Sequence, residues 1–332
     1  MALALEMGFA AATVGGLCWL GLLLWQETRR PRVICLMYHR LVSRRQYARL
    51  HGTERVFAMP LETLAEQIQW LKSMGYRFLT PEEVVQFAQG RLALPERSVH
   101  ISFDDGCLSV LTSGLSILQQ HGARATLFVT TDPGSQVFPP DDPGQRRMTD
   151  EELGRWTAAG FELGSHGVTH KPLHMLPDEE LTAELKGSRE TLERMLGQPV
   201  RHLAIPGNWY DDRVLAEARR CGYGAVWCSR QGAVRRGDPL FGLPRVNMDG
   251  DLNLRQFAAT ISPAGMVGCR VLAAAKRAPK QVLGYARWMK VRVWLLRCVP
   301  GGYLSKRRLL LLFGVAIGLG LIGLRWLLRA VR

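Results

Sequence analysis

From Val33 to Ile261, short apolar runs alternate with longer stretches whose apolar residues recur at helical spacing. The first run, Val33-Ile34-Cys35-Leu36-Met37-Tyr38, predicts a strand ending at His39, followed by an Arg-rich connection through His51. Leu61, Leu64, Ile68 and Leu71 then lie on one helical face, with Gly75 as the terminator. Thr80-Pro81-Glu82-Glu83 supplies a cap, a proline at the first helical position and a capping-box Glu, predicting a helix to about Gly90. Further strands are expected at Val99–Phe103, Ala125–Val129, Phe161–His166, His202–Ile205, Gly224–Cys228 and around Leu243–Met248. Helices are expected between them, at Cys107–His121, Asp150–Ala159, Asp178–Leu196 and up to Cys221, with a last one near Leu254–Ile261. Asp132–Met148, rich in Pro, Gly and Asp, reads as a loop long enough to flank a site. Strands alternating with helices argue a parallel α/β fold, and no internal repeat is visible.

The polar residues interrupting this pattern fall at strand ends. His39, Asp104, Asp105, His166 and Pro206 each follow a predicted strand, where barrel enzymes gather their chemistry. Asp104 and Asp105 are adjacent, and two such carboxylates push one pKa up unless a cation absorbs the second charge. An acidic Asp-Gly turn explains the pair more blandly. His166 and His170 lie at i, i+4, where two imidazoles can meet one cation if the segment makes a helical turn. One Asp with two His forms a facial ligand set with open positions, leaving the other Asp free to act as a base.

Ser102-Phe103-Asp104-Asp105-Gly106, followed by Ser165-His166-x-x-x-His170, resembles the first two motifs of the polysaccharide deacetylases, the NodB-homology or carbohydrate esterase family four proteins. The resemblance runs from about Val33 to Ile261. It implies a distorted, incomplete (β/α) barrel of about seven strands. It also implies removal of N-acetyl or N-formyl groups from an amino-sugar-containing saccharide, soluble, polymeric or lipid-linked. By the family pattern Asp105, His166 and His170 hold a divalent metal, zinc ahead of cobalt, nickel, manganese or iron, and Asp104 is the base. No His follows His202, so the acid of the common motif order is missing at its usual place. A circularly permuted subset of the family carries this His on the first strand, and Met37-Tyr38-His39-Arg40 matches that pattern, making His39 the candidate acid. A His packed under the barrel rim is the competing account.

Arg245, in Leu243-Pro244-Arg245-Val246, matches a late family strand as the residue orienting Asp104, although a structural salt bridge explains it equally. The third motif departs from the family's Phe-Ala-Tyr-Pro-x-Gly: here it is Leu203-Ala204-Ile205-Pro206-Gly207-Asn208, with Ile in place of Tyr and Gly directly after Pro. Backbone near Gly207 is still a candidate oxyanion donor, and Gly207, Asn208 and Trp209 form the candidate substrate-binding set, Trp209 by stacking on a sugar. Two other functions fit part of the pattern. The same three ligands suit a non-haem iron oxygenase, and the altered third motif suits a non-catalytic saccharide-binding scaffold.

Composition adds a membrane to this picture. Of 332 residues 43 are basic and 29 acidic, a formal charge of +14, which points to anionic lipid, an acidic substrate or nucleic acid. No nucleic-acid motif accompanies the charge, so no nucleic-acid partner is expected. Gly8–Trp25 is uncharged and about 27 Å long as a helix, close to a hydrocarbon core of about 30 Å. Neither a preceding Lys or Arg nor a following cleavage site marks it as a cleaved signal, so a retained anchor over 1–28 is expected. Arg29, Arg30, Arg32, Arg40, Arg44, Arg45 and Arg49 follow it against Glu6 before it, which puts the 29–261 domain on the cytoplasmic side. The stretch 262–308 interleaves Lys and Arg with Val, Leu and Trp and reads as a lipid-surface segment. Leu309–Leu324 is a second apolar run, reaching about Leu328 if Arg325 snorkels, and 309–328 is the expected second membrane helix. Seven cysteines without CxxC spacing demand no oxidising compartment, and Cys35 and Cys107 are expected to be buried thiols.

Overall fold

The computed structural model describes residues 18, 21–25, 27–29, 31–135, 143–269 and 271. Two compact units divide the chain, Arg29–Met266 and a second comprising Met1–Thr28 with Val267–Arg332. The second apolar run and most of the first lie outside the described residues, as does nearly all of the basic stretch beyond Arg270. Among the described residues no helix is long and apolar enough to cross a membrane.

Within Arg29–Met266 the strands are β1 (Arg32–Tyr38), β2 (Arg40–Val42), β3 (Ala58–Pro60), β4 (Arg77–Phe78), β5 (Ser98–Phe103), β6 (Ala125–Val129), β7 (Glu162–Ser165), β8 (His202–Ala204), β9 (Ala225–Cys228), β10 (Val234–Arg235), β11 (Phe241–Pro244) and β12 (Val246–Asn247). The main sheet follows the path β10-β1-β5-β6-β7-β8-β9-β11. All neighbours on this path run parallel except β10, which pairs antiparallel with the start of β1 at Arg32 and Val33. The path therefore holds eight strands rather than about seven, the short β10 being the addition.

The late strand expected around Leu243–Met248 is two strands that close the sheet on itself. β11 pairs with β9 as far as Pro244, opposite Cys228. Two residues later β12 pairs with β1, Val246 opposite Leu36 and Asn247 opposite Met37. Arg245 occupies the step between them, its N–H bonded to Cys228 O at 2.9 Å. The seam of this nearly closed barrel thus runs through Arg245.

Strand alternation sorts side chains between two apolar clusters. Ile34, Leu36, Tyr38, Val99, Ile101 and Phe103 pack with the helices Leu61–Ser73 and Leu254–Ile261. Val33, Cys35, Phe128, Ala204, Trp227 and Leu243 form the other cluster. Every residue of β5 is buried, so its alternate residues His100 and Ser102 are enclosed polar groups. Helix ends follow the local chemistry: Thr80 and Glu83 close a capping box before Pro81–Ala88, as do Thr149 and Glu152 before Asp150–Ala158. The helix expected over Cys107–His121 contains a π-helical turn, Val110–Gly114, near its start and continues as α-helix at Leu115–His121. Cys35 and Cys107 are buried free thiols.

Candidate active site

Each candidate residue enters from the carboxyl end of a strand. His39 follows β1, Asp104 and Asp105 follow β5, His166 follows β7, Gly207 to Trp209 follow β8, and Arg245 follows β11. Because the strands are parallel, residues far apart in sequence arrive at one rim.

Asp105, His166 and His170 bring one ligand atom each within 4.8 Å of one another. Asp105 Oδ1 lies 3.4 Å from His166 Nε2 and 3.5 Å from His170 Nε2. That oxygen is buried and has no hydrogen-bond partner. Nδ1 of His166 lies 2.8 Å from Ala204 O and donates to it, so Nε2 is the ring nitrogen turned toward Asp105. A divalent cation fits this donor set: two imidazole nitrogens converge on a buried carboxylate oxygen that has no hydrogen-bond partner. The two His do not meet through a helical turn. After β7 the chain is irregular, with positive φ at Gly167 (79°) and His170 (63°), and this reversal returns the second imidazole toward the first. Their ring centroids lie 5.1 Å apart.

Asp104 has a different partner. Arg245 Nη1 and Nη2 donate to Asp104 Oδ1 and Oδ2 at 2.6 and 2.8 Å, a two-pronged pair in which the arginine is fully buried. The second carboxylate charge is therefore absorbed by guanidinium. Arg245 is itself located by Ser102 Oγ at 3.1 Å and by the Phe128 ring at 5.1 Å. Burial alone would raise the Asp104 carboxyl, but the charge of Arg245, followed by that of His166, holds it below the ordinary range. For Asp105 burial is likewise outweighed, by His166 first, then by His39 and His170, and its pKa falls to about 2. His166 lies above its usual value because Asp104 and Asp105 overcome burial. Burial wins at His170, which lies below it.

His39 sits half-buried at the rim, its ring edge-on to Phe57 with centroids 4.8 Å apart. Burial lowers its pKa, against the opposing influence of Asp105 and Asp104. The site thus brings together His39, Asp104, Asp105, His166, His170 and Arg245.

The third-motif residues are arranged around Trp209. Ile205, standing where the family has Tyr, is buried among Leu173, Leu203, Val214 and Val226. Gly207 has φ 56°, and a Cβ there would lie 2.7 Å from the Trp209 ring, so only glycine lets the indole fold over this turn. The N–H groups of Asn208 and Trp209 are committed to Ile205 O and Pro206 O. Asn208 Oδ1 accepts from Ser229 N–H at 2.9 Å, tying β8 to the end of β9. Trp209 is 45% exposed and its ring makes an edge-type contact with His170, centroids 6.5 Å apart, so the indole lies beside the candidate metal-ligand set.

Sequence reasoning missed Phe57, Ser102 and Glu184. Glu184 had a signal: with Ser188 it lies on the same helical face as Leu181, Leu185 and Leu192. A carboxylate on an apolar face calls for a buried partner.

A barrel with two neighbouring carboxylates, one in an arginine fork and one beside paired imidazoles, is the framework of a metal-dependent hydrolase. Residues 91–226 match the family model described as polysaccharide deacetylase. YxkH of Bacillus subtilis (strain 168) is 24% identical over 238 residues, covering 71% of this chain and 79% of its own length. A poly-β-1,6-N-acetyl-D-glucosamine N-deacetylase of Staphylococcus epidermidis is 23% identical over 230 residues, 66% of this chain and 79% of its own. The fold is similar to that of the Streptococcus pyogenes deacetylase PplD, solved with acetate, at a TM-score of 0.62 and 24% identity over 70% of this chain and all of that one. The matched region, residues 91–226, is a polysaccharide deacetylase region, and the proteins that share it are hydrolases of carbon–nitrogen bonds other than peptide bonds. This match favours hydrolysis over the oxygenase reading of the same three ligands.

Proposed function

We propose that this chain is a metal-dependent N-deacetylase that removes acetyl or formyl groups from an N-acetylglucosamine-containing saccharide. One observation carries the reading: the orphaned, buried Asp105 Oδ1 between His166 and His170, with Asp104 alongside in the fork of Arg245. A divalent ion, zinc in this reading, supplies a Lewis acid for the amide carbonyl and lowers the pKa of water. Arg245 keeps Asp104 ionised and aimed, so that carboxylate takes the proton of the attacking water. His39, on the first strand as in the circularly permuted subset, protonates the departing amine. The open face of Trp209 gives the pyranose ring an apolar platform. The saccharide class follows the relative named for poly-β-1,6-N-acetyl-D-glucosamine.

The protein is further proposed to be held at the membrane by the apolar runs at its two ends and by anionic lipid on 262–308, with the site on the cytoplasmic side. A lipid-linked saccharide intermediate then joins the substrate class. The test is release of acetate or formate, with matching amine formation, from soluble, polymeric and lipid-linked N-acylated glucosamine substrates. Release abolished by chelation and restored by zinc is the expected result. A zinc-loaded protein that releases neither acid from any of the three, or release unaffected by chelation, overturns the reading.

A further inference from the structure

The segment Gly167-Val168-Thr169 joins the two candidate imidazole ligands, and it lacks helix or strand to hold it. Its conformation is nevertheless tied down on both sides. On one side, Gly167 O and Val168 O accept from the N–H groups of Thr131 and Asp132, at 3.2 and 2.9 Å. On the other stands one carboxylate. Glu184, from the helix Asp178–Leu196, accepts at Oε2 from the N–H groups of Val168 and Thr169 at 2.9 and 3.0 Å. Its other oxygen accepts from the Thr169 hydroxyl. Gly167 N–H is bonded to Ser165 Oγ at 3.2 Å, and that hydroxyl meets Ser188 Oγ of the same helix at 2.7 Å.

Glu184 is 6% exposed, so these three donors replace water around a buried charge. A Cβ on Gly167 would stand 3.2 Å from Glu184 Oε2, so the loop is drawn close to the carboxylate where it turns at φ 79°. His170 follows directly, in the left-handed region at φ 63°. A non-glycine residue in that region persists when its surroundings impose it.

We propose that Glu184 is a positioning residue: its carboxylate sets the path from His166 to His170 and thereby the separation of the two imidazole nitrogens that face Asp105. This rests on the metal-site reading above. Partners outside the ligand set, when removed, weaken metal affinity by about 10- to 100-fold. Glu184→Ala is expected to weaken zinc by that factor, measured on the full chain by competition with a chromophoric chelator. Glu184→Gln retains an oxygen for the two N–H groups and is expected to bind within about threefold of the unsubstituted protein. Thr169→Ala, which removes only the hydroxyl contact, is expected to fall between the two. Cobalt loaded in place of zinc should show a changed visible absorption spectrum in Glu184→Ala.

If Glu184→Ala stays folded and binds zinc as the unsubstituted protein does, with the same cobalt spectrum, the proposal is overturned. If Glu184→Ala does not fold, the comparison of Glu184→Gln with Thr169→Ala decides. Unchanged affinity in Thr169→Ala, or affinity in Glu184→Gln as weak as 10-fold below the unsubstituted protein, then counts against it. An unsubstituted protein that binds neither zinc nor cobalt removes the metal-site reading itself, and this inference with it.

Discussion

Asp104 and Asp105 are neighbours in sequence with opposite surroundings, and their proposed roles rest on that difference. Asp104 has both oxygens in the Arg245 fork, whereas Asp105 has an oxygen with no partner. Asp104→Asn should therefore retain zinc, because the ligand set is untouched, yet lose about 10²- to 10⁴-fold in turnover, because an amide accepts no proton from water. Metal content and acetate release, measured on one preparation, check both halves. A fully active Asn variant would remove Asp104 from the base role. His39 gives a separable expectation. With Ala there, the alkaline limb of the pH–rate profile should disappear while the acidic limb set by Asp104 persists, and zinc should stay bound. Unchanged specific activity in a destabilised His39→Ala protein would instead favour the packing role suggested by its contact with Phe57.

At the level of elements, β7 both leads into a site residue, His166, and carries a stability liability. Glu162 opens that strand, partly buried, and burial pushes its carboxyl up to about 7, with Arg124 only partly opposing. The folded protein therefore binds this proton more tightly than the unfolded chain, whose Glu titrates near 4.5. The associated stability is fully present below about pH 4.5 and is lost as pH rises through about 7. Its size is at most about 3 kcal/mol and is reduced by solvent screening. Urea midpoints at pH 5 and pH 8 should fall less steeply with pH in Glu162→Gln than in the unsubstituted protein. Identical slopes in the two would show that another group carries the dependence. The helix Asp178–Leu196 has a comparable double duty, since its buried face contributes Leu181 and Leu185 to the core and Glu184 to the loop between the His ligands.

For the whole molecule the expectation to test is the proposed membrane attachment with a cytoplasmic site. The proposal of a cytoplasmic site is tested at Met175, which is 72% exposed in the short turn Leu173–Met175. Met175→Cys should gain labelling by a membrane-impermeant maleimide only after cells are permeabilised, judged against the unsubstituted protein. Added labelling in intact cells would move the site, and with it the substrate, to the outer face.

Much of this organisation was legible in the chain. Apolar runs bounded by polar residues marked the main parallel strands, because buried strands of such a sheet exclude polar side chains along most of their length. The capping box at Thr80 and Glu83 was readable for a local reason: all its partners lie within one helical turn. The Asp pair and the His pair were legible because their spacing is short and chemically unusual. Which residues meet across the barrel was legible only through the family resemblance, not from the residue pattern itself. That Arg245 pairs with Asp104 depends on the chain stepping from β9 to β1 at that one residue. That His166 and His170 converge depends on positive φ at Gly167 and His170, held by a carboxylate from a later helix, where i, i+4 spacing suggested a helical turn. Local pattern determines local elements, because its energetics act within a few residues. Ion pairs and ligand sets at the rim join residues brought together by sheet closure, so residue pattern alone leaves them to the family resemblance as expectations, and the tertiary structure supplies their geometry.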